Sequence, residues 1–142
     1  MKDYQDYLNF LYQNTQMGVN TLKQMSDICE DENFAVHLKW QLDGYSKLKY
    51  VADELLTKQG LTPEGISTLG KISTYFMVEL KTMADSSVSH LSEMLMQGSV
   101  MGIVQIKRTM RAYPTAPPQL AKLAEDLLEF EQQNLKALQN FL

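Results

Sequence analysis

The sequence predicts an all-α fold, a four-helix bundle of two antiparallel hairpins joined by a long, partly helical crossover. Three observations carry the helical part of that expectation. Four segments repeat their apolar residues three and four apart, which gathers them on one face of a helix. The segments are nearly equal in length, at about 2–29, 32–59, 86–113 and 117–142. Two of the three connections are short, while the third, about 61–85, is long enough to travel the length of the bundle.

The first segment carries Tyr4, Leu8, Leu11, Thr15, Gly18, Leu22, Met25 and Cys29 at alternating spacings of four and three, the pattern of a bundle seam. "EDEN" (30–33) is a short acidic turn whose carboxylates suit the start of the next helix. In the second segment Ala35, Leu38, Leu42, Tyr45, Leu48, Ala52 and Leu55 are expected to face inward, and Gly60 to end the helix as a left-handed cap. So short a change of direction between two long helices implies an antiparallel pair.

Thr62-Pro63 reads as an N-cap and first helical position. Within the connection Ile66, Leu69, Phe76, Leu80 and Met83 form an amphipathic stripe. A helix of 27 residues is roughly 40 Å long, a span that this connection can cover as a crossover, with a five-helix bundle and a more ordinary connection as the alternative. The third segment carries Val88, Leu91, Leu95, Gly98, Ile103, Ile106 and Met110, with "DSSVS" (85–89) as its N-cap region. "YPTAPP" (113–118) stops it, because proline cannot continue a helix and restricts the residue before it. The fourth segment turns Leu120, Leu123, Leu127, Phe130, Leu135, Leu138 and Leu142 inward. Lys107, Arg108 and Arg111 are expected to approach Glu125, Asp126 and Glu129 across the last two helices as solvated ion pairs.

At 142 residues the chain reads as a single domain, 1–142, large enough for a real core. Apolar residues make up 44% and charged residues 21%, as in ordinary globular proteins. A net charge of −4 argues against a nucleic-acid partner, which would call for a basic face. Cys29 stands alone, which leaves no internal disulfide and no cysteine-based zinc site. "MKDYQDYLNF" lacks the apolar run of a signal peptide and nothing approaches a membrane span, so no membrane partner and a cytoplasmic location are expected. No nucleophile has an evident base beside it, and "TPEGISTLGK" (62–71) lacks the pattern of a phosphate-binding loop.

"MLMQGSVMG" (94–102) sets two glycines four apart in a helix interior, where each costs about 1 kcal/mol relative to alanine. Gly18, Gly44, Gly98 and Gly102 all fall near the middles of their helices. They can admit bulky neighbours such as Phe130, Tyr45 or Met101, line a pocket, or face another subunit. Close packing is the expectation at Gly98 and, less strongly, at Gly102.

With its four matched helices, long crossover, "DSSVSHLSEMLMQGSVMGI" (85–103) and "LLEFEQQNLKALQNFL" (127–142), the chain resembles the ferritin-like superfamily. Within it, the likeness is to the uncharacterised, spore-coat-type and rubrerythrin-like bundles. The resemblance covers nearly the whole chain as architecture and implies that helices two and three run parallel. Active members hold two metal ions with a Glu from each of two helices and a Glu-x-x-His from each of the other two.

This sequence has no Glu-x-x-His. It offers Glu131-x-x-Asn134 in helix four and Asp43-x-x-Ser46 or Gly44-x-x-Lys47 in helix two, and helix one has no carboxylate between Asp6 and Asp27. No catalytic residues and no cofactor are therefore assigned. A midplane pocket would be formed by Gln16, Gln41, Tyr45, Gln97 and Glu131. In this topology His37 and His90 lie at one end with Glu93, an alternative metal site near Asp27 and Glu30.

The expected function is a non-catalytic bundle with a structural or protein-interaction role. Its partner would be a second copy or another protein, in a spore-associated setting if the family likeness extends that far. The alternatives are a small-molecule-binding bundle or a metal-binding ferritin-like protein.

Overall fold

The structure, a computed structural model, describes residues 2–62 and 85–142. Among them are four α-helices and no strand: α1 (Lys2–Ile28), α2 (Glu32–Lys58), α3 (Val88–Ala112) and α4 (Pro118–Leu138), with a 3₁₀ turn at Gln139–Phe141. The four pack as an all-α bundle. The expected crossover helix, with Pro63 and the stripe from Ile66 to Met83, lies outside the described residues. No described helix is long and apolar enough to cross a membrane.

The helix ends are set by local chemistry. Asp31 caps α2, its Oδ1 accepting from the Phe34 amide at 2.9 Å, and Glu32 adds a negative charge to the first turn. At the other end Gly60 has φ +69°. The Leu61 amide donates back to the Leu56 carbonyl at 2.9 Å and that of Gly60 to Thr57 at 3.0 Å. These two bonds make a Schellman cap, which needs the left-handed backbone glycine allows. Ser87 caps α3 by accepting from the His90 amide at 3.2 Å, and Asp85 in turn accepts from the Ser87 amide at 2.9 Å. Pro117 and Pro118 open α4. The last helix stops at Leu138 rather than 142, where the tighter turn carries Phe141 onto Phe34 at 5.0 Å between ring centroids and leaves Leu142 63% exposed.

Paired residues place the helices. Along α1 and α2, Tyr12 meets Lys49 and Gly18 meets Tyr45. The start of α2 touches the chain after α4 through Phe34 and Phe141, and the start of α3 reaches the end of α4 where Ser92 donates to the Leu138 carbonyl at 2.6 Å. Tyr4, at the start of α1, donates to the Thr115 carbonyl between α3 and α4 at 2.9 Å. The packing is uneven: α1 lies closely on α2 and α3 on α4, while the seam between α1 and α3 is sparse.

The core is built from Leu8, Leu11, Leu22 and Met25 of α1, Phe34, Leu38 and Leu56 of α2, Leu91 and Ile106 of α3, and Leu127 and Leu138 of α4, all essentially inaccessible. On α2 the inward face is turned from the expected one, with Phe34, Gln41 and Leu56 buried and Ala35 exposed. Phe34 buries far more apolar surface than Ala35 can, so the helix rotates to bury the ring. The expected ion pairs between α3 and α4 do not form. Asp126 bonds Lys122 of its own helix at 2.9 Å, and among the described residues the other ion pair is His90–Glu93 at 3.9 Å.

Candidate functional site

Buried polar side chains gather in this core: Asn14, Thr15 and Thr21 from α1, Gln41 from α2, Ser92 and Ser99 from α3, Glu131 and Asn134 from α4. Several surround a cavity of about 150 Å³. Its walls come from α1 and α3, whose shared seam is sparse: Asn14, Met17, Gly18, Thr21 and Leu22 of α1, and Leu95, Gln97, Gly98, Ser99, Met101 and Gly102 of α3. Gln41 and Tyr45 of α2 and Glu131 of α4 complete the lining. Gln97 and Met101 are exposed, so they lie toward solvent, while Gln41, Tyr45 and Glu131 are buried and form the floor.

The glycines shape this space in opposite ways. A Cβ on Gly18 would come within 2.7 Å of the Tyr45 ring, and one on Gly44 would run into the Phe130 ring. Those glycines let two aromatic rings sit against neighbouring backbone, and the rings then meet edge to face at 4.9 Å between centroids. Gly102 is tight, since a Cβ there would lie 3.0 Å from Oε2 of Glu131. At Gly98 the expectation of close packing fails, because a Cβ would meet nothing within 4 Å. Gly98 borders the cavity instead. "MLMQGSVMG" thus lines the cavity with both glycines, open at Gly98 and closed against Glu131 at Gly102.

Glu131 is the chemical centre of the floor. It is 2% exposed, and the Tyr45 hydroxyl donates to its Oε1. Burial pushes the carboxyl up to about 8, so at neutral pH it is held mostly in its uncharged form. Of the fourteen residues that line the cavity, Tyr45 and Glu131 are the ones that ionise, and none carries a positive charge. One turn on, Asn134 is fully buried with neither side-chain polar atom hydrogen-bonded. Gln41 is tied on its far side to the His37 ring at 2.7 Å.

Gln41, Tyr45, Gln97 and Glu131 come together as cavity-lining residues. Gln16 does not join them; it is exposed, and Asn14 stands in the wall instead. Of the alternative metal set, His90 and Glu93 approach at 3.9 Å near the start of α3. His37 is occupied differently: its ring sits 6.2 Å from Phe34, 5.9 Å from Trp40 and 5.3 Å from Phe141, and desolvation lowers its pKa. Among the described residues no group of three or more His, Cys, Asp and Glu side chains is placed to hold a metal ion. The donors around Glu131 are a phenol, carboxamides and hydroxyls, which do not fit a pair of divalent ions that needs several carboxylates and imidazoles.

Asn14, Thr21 and Ser99 were not anticipated as site residues. For Asn14 and Thr21 the signal lies in the spacing, since Asn14, Gly18 and Thr21 follow Leu11 on the seam of α1. No family model matches the chain, and neither a curated protein nor a solved structure matches it.

Proposed function

We propose that this chain is a ferritin-like bundle of two antiparallel hairpins that acts without catalysis, binding a small molecule in the cavity between α1 and α3. The contacts of Phe34 with Phe141, Ser92 with Leu138 and Tyr4 with Thr115 support the topology, since they bring the starts of α2 and α3 to one end and that of α1 to the other. The cavity carries the functional reading. A void of about 150 Å³ is large enough for a benzene-sized molecule. Apolar walls with a few convergent polar groups are the usual make-up of a small-molecule site.

The test is thermal unfolding with benzyl alcohol as a neutral probe. The parent melting temperature should rise with ligand concentration, as binding to the folded state requires. Gly98→Leu, which sets a side chain into the open space, should fold and lose that response. No rise in the parent, or an undiminished rise in Gly98→Leu, rejects the reading.

One observation favours a second reading, self-association. Val100, Met101 and Val104 of α3 are each at least 40% exposed, Val104 following the other two by four and three residues, an outward apolar patch beside the cavity mouth. Sedimentation should then find a multimer that Val100→Lys with Val104→Lys dissociates. A monomeric parent removes this reading.

A further inference from the structure

The polar groups of the cavity restrict what it can hold. Glu131 has one oxygen engaged by Tyr45, and the other lies toward Gly102, where the missing side chain leaves it room. From α1, α2 and α3 the residues lining the cavity offer this carboxyl no cation, and Tyr45 is the one other group there that ionises. A buried carboxylate without a counter-charge is costly, so in the free protein Glu131 retains its proton. The floor therefore offers a buried acid that a cationic ligand can pair with once its proton leaves, and it offers an anion no counter-charge. Asn14, Gln41, Gln97, Thr21 and Ser99 line the same space and hold oxygen acceptors that a multivalent N–H donor can use. Met17, Leu22, Leu95 and Met101 add adaptable apolar surface to the same lining.

We propose that the cavity takes a small organic ammonium carrying one apolar group of about benzyl size, with its nitrogen on the Glu131 carboxylate and its apolar part against Leu22, Leu95 and the methionines. This inference rests on the cavity being a binding site and adds the class of its ligand. Docking the cation draws the carboxyl proton into solvent, exchanging a neutral buried acid for a neutral buried ion pair. A carboxylate ligand finds no cation in the lining to offset the burial of its charge and is excluded. A neutral alcohol of the same shape fills the space and leaves Glu131 protonated, without the charge pairing that tightens the amine.

Calorimetric titration of the whole chain with benzylammonium chloride, benzyl alcohol and sodium benzoate tests this. At about pH 8 benzylammonium should bind the parent at least about tenfold more tightly than benzyl alcohol, and benzoate should not bind. Lowering the pH to about 6 should weaken benzylammonium binding and leave benzyl alcohol unchanged. In Glu131→Gln, which keeps the shape and an acceptor for Tyr45, the preference for the amine should vanish while alcohol binding persists. Gly98→Leu should weaken both. Alcohol binding without a preference for the amine overturns the inference and leaves the cavity reading standing, as does a preference that survives in Glu131→Gln. Failure of every probe overturns both.

Discussion

A methyl group added at Gly44 would collide with the Phe130 ring, while the same group at Gly98 would touch nothing within 4 Å. Alanine substitution should separate the two roles that glycine plays at this level of the bundle. At Gly44 and Gly18 an aromatic ring held by its own packing must move aside, and overpacking of that kind costs about 1–3 kcal/mol. At Gly98 no such conflict arises, and replacing a helix-interior glycine should stabilise by up to about 1 kcal/mol. Urea unfolding of the three single variants should place Gly44→Ala and Gly18→Ala below the parent and Gly98→Ala at or above it. A destabilised Gly98→Ala would mean that α1 and α3 close on each other in solution. Sequence alone could not separate these glycines, because each is simply a glycine at mid-helix. The partner decides, and Phe130 and Tyr45 reach Gly44 and Gly18 from elsewhere in the bundle.

At the scale of the helices, much was legible because it rests on local rules. The "EDEN" turn gave α2 its cap at Asp31, Gly60 adopts the left-handed conformation its position called for, and "DSSVS" supplies Ser87. Apolar spacing found all four described helices. It placed their inward faces less well, because it counts hydrophobic residues while the interior here also takes Gln41, Ser92, Ser99, Glu131 and Asn134. The misplacement of Gln16 is a matter of angle. Residues two apart on a helix point about 200° away from each other, so with Asn14 inward Gln16 must face solvent. A residue's height along the helix does not choose its face. Asn134 shows the same limit, since its burial with no hydrogen-bond partner is a property of the packed bundle and of nothing in its neighbouring sequence.

For the whole molecule, the buried carboxyl makes stability depend on pH with an unusual sign. Glu131 titrates near 4.5 when solvated and is pushed up to about 8 in the folded chain by burial. Between those values the folded state retains a proton that the unfolded state has released, so unfolding is progressively favoured as the pH rises. The Glu131 contribution is greatest below about 4.5, falls across the window and is fully lost above about 8. The loss is on the order of a few kcal/mol, a large share of a small domain's stability. The groups facing Glu131 do not offset this: the Tyr45 hydroxyl donates a hydrogen bond without supplying a positive charge, and Asn14 and Gly102 carry no charge. His37 works in the other direction at the acid end. Its pKa is lowered by burial, so protonation of the unfolded chain favours unfolding as the pH drops below about 6.5. A comparison of the parent with Glu131→Gln at each pH cancels that contribution and isolates the carboxyl. The glutamine variant should gain on the parent steadily from about pH 5 to about pH 8, with the difference levelling off above that. A pH-independent difference in denaturant midpoint would show that the carboxyl is hydrated or paired in solution, and that the bundle holds no buried neutral acid at its centre.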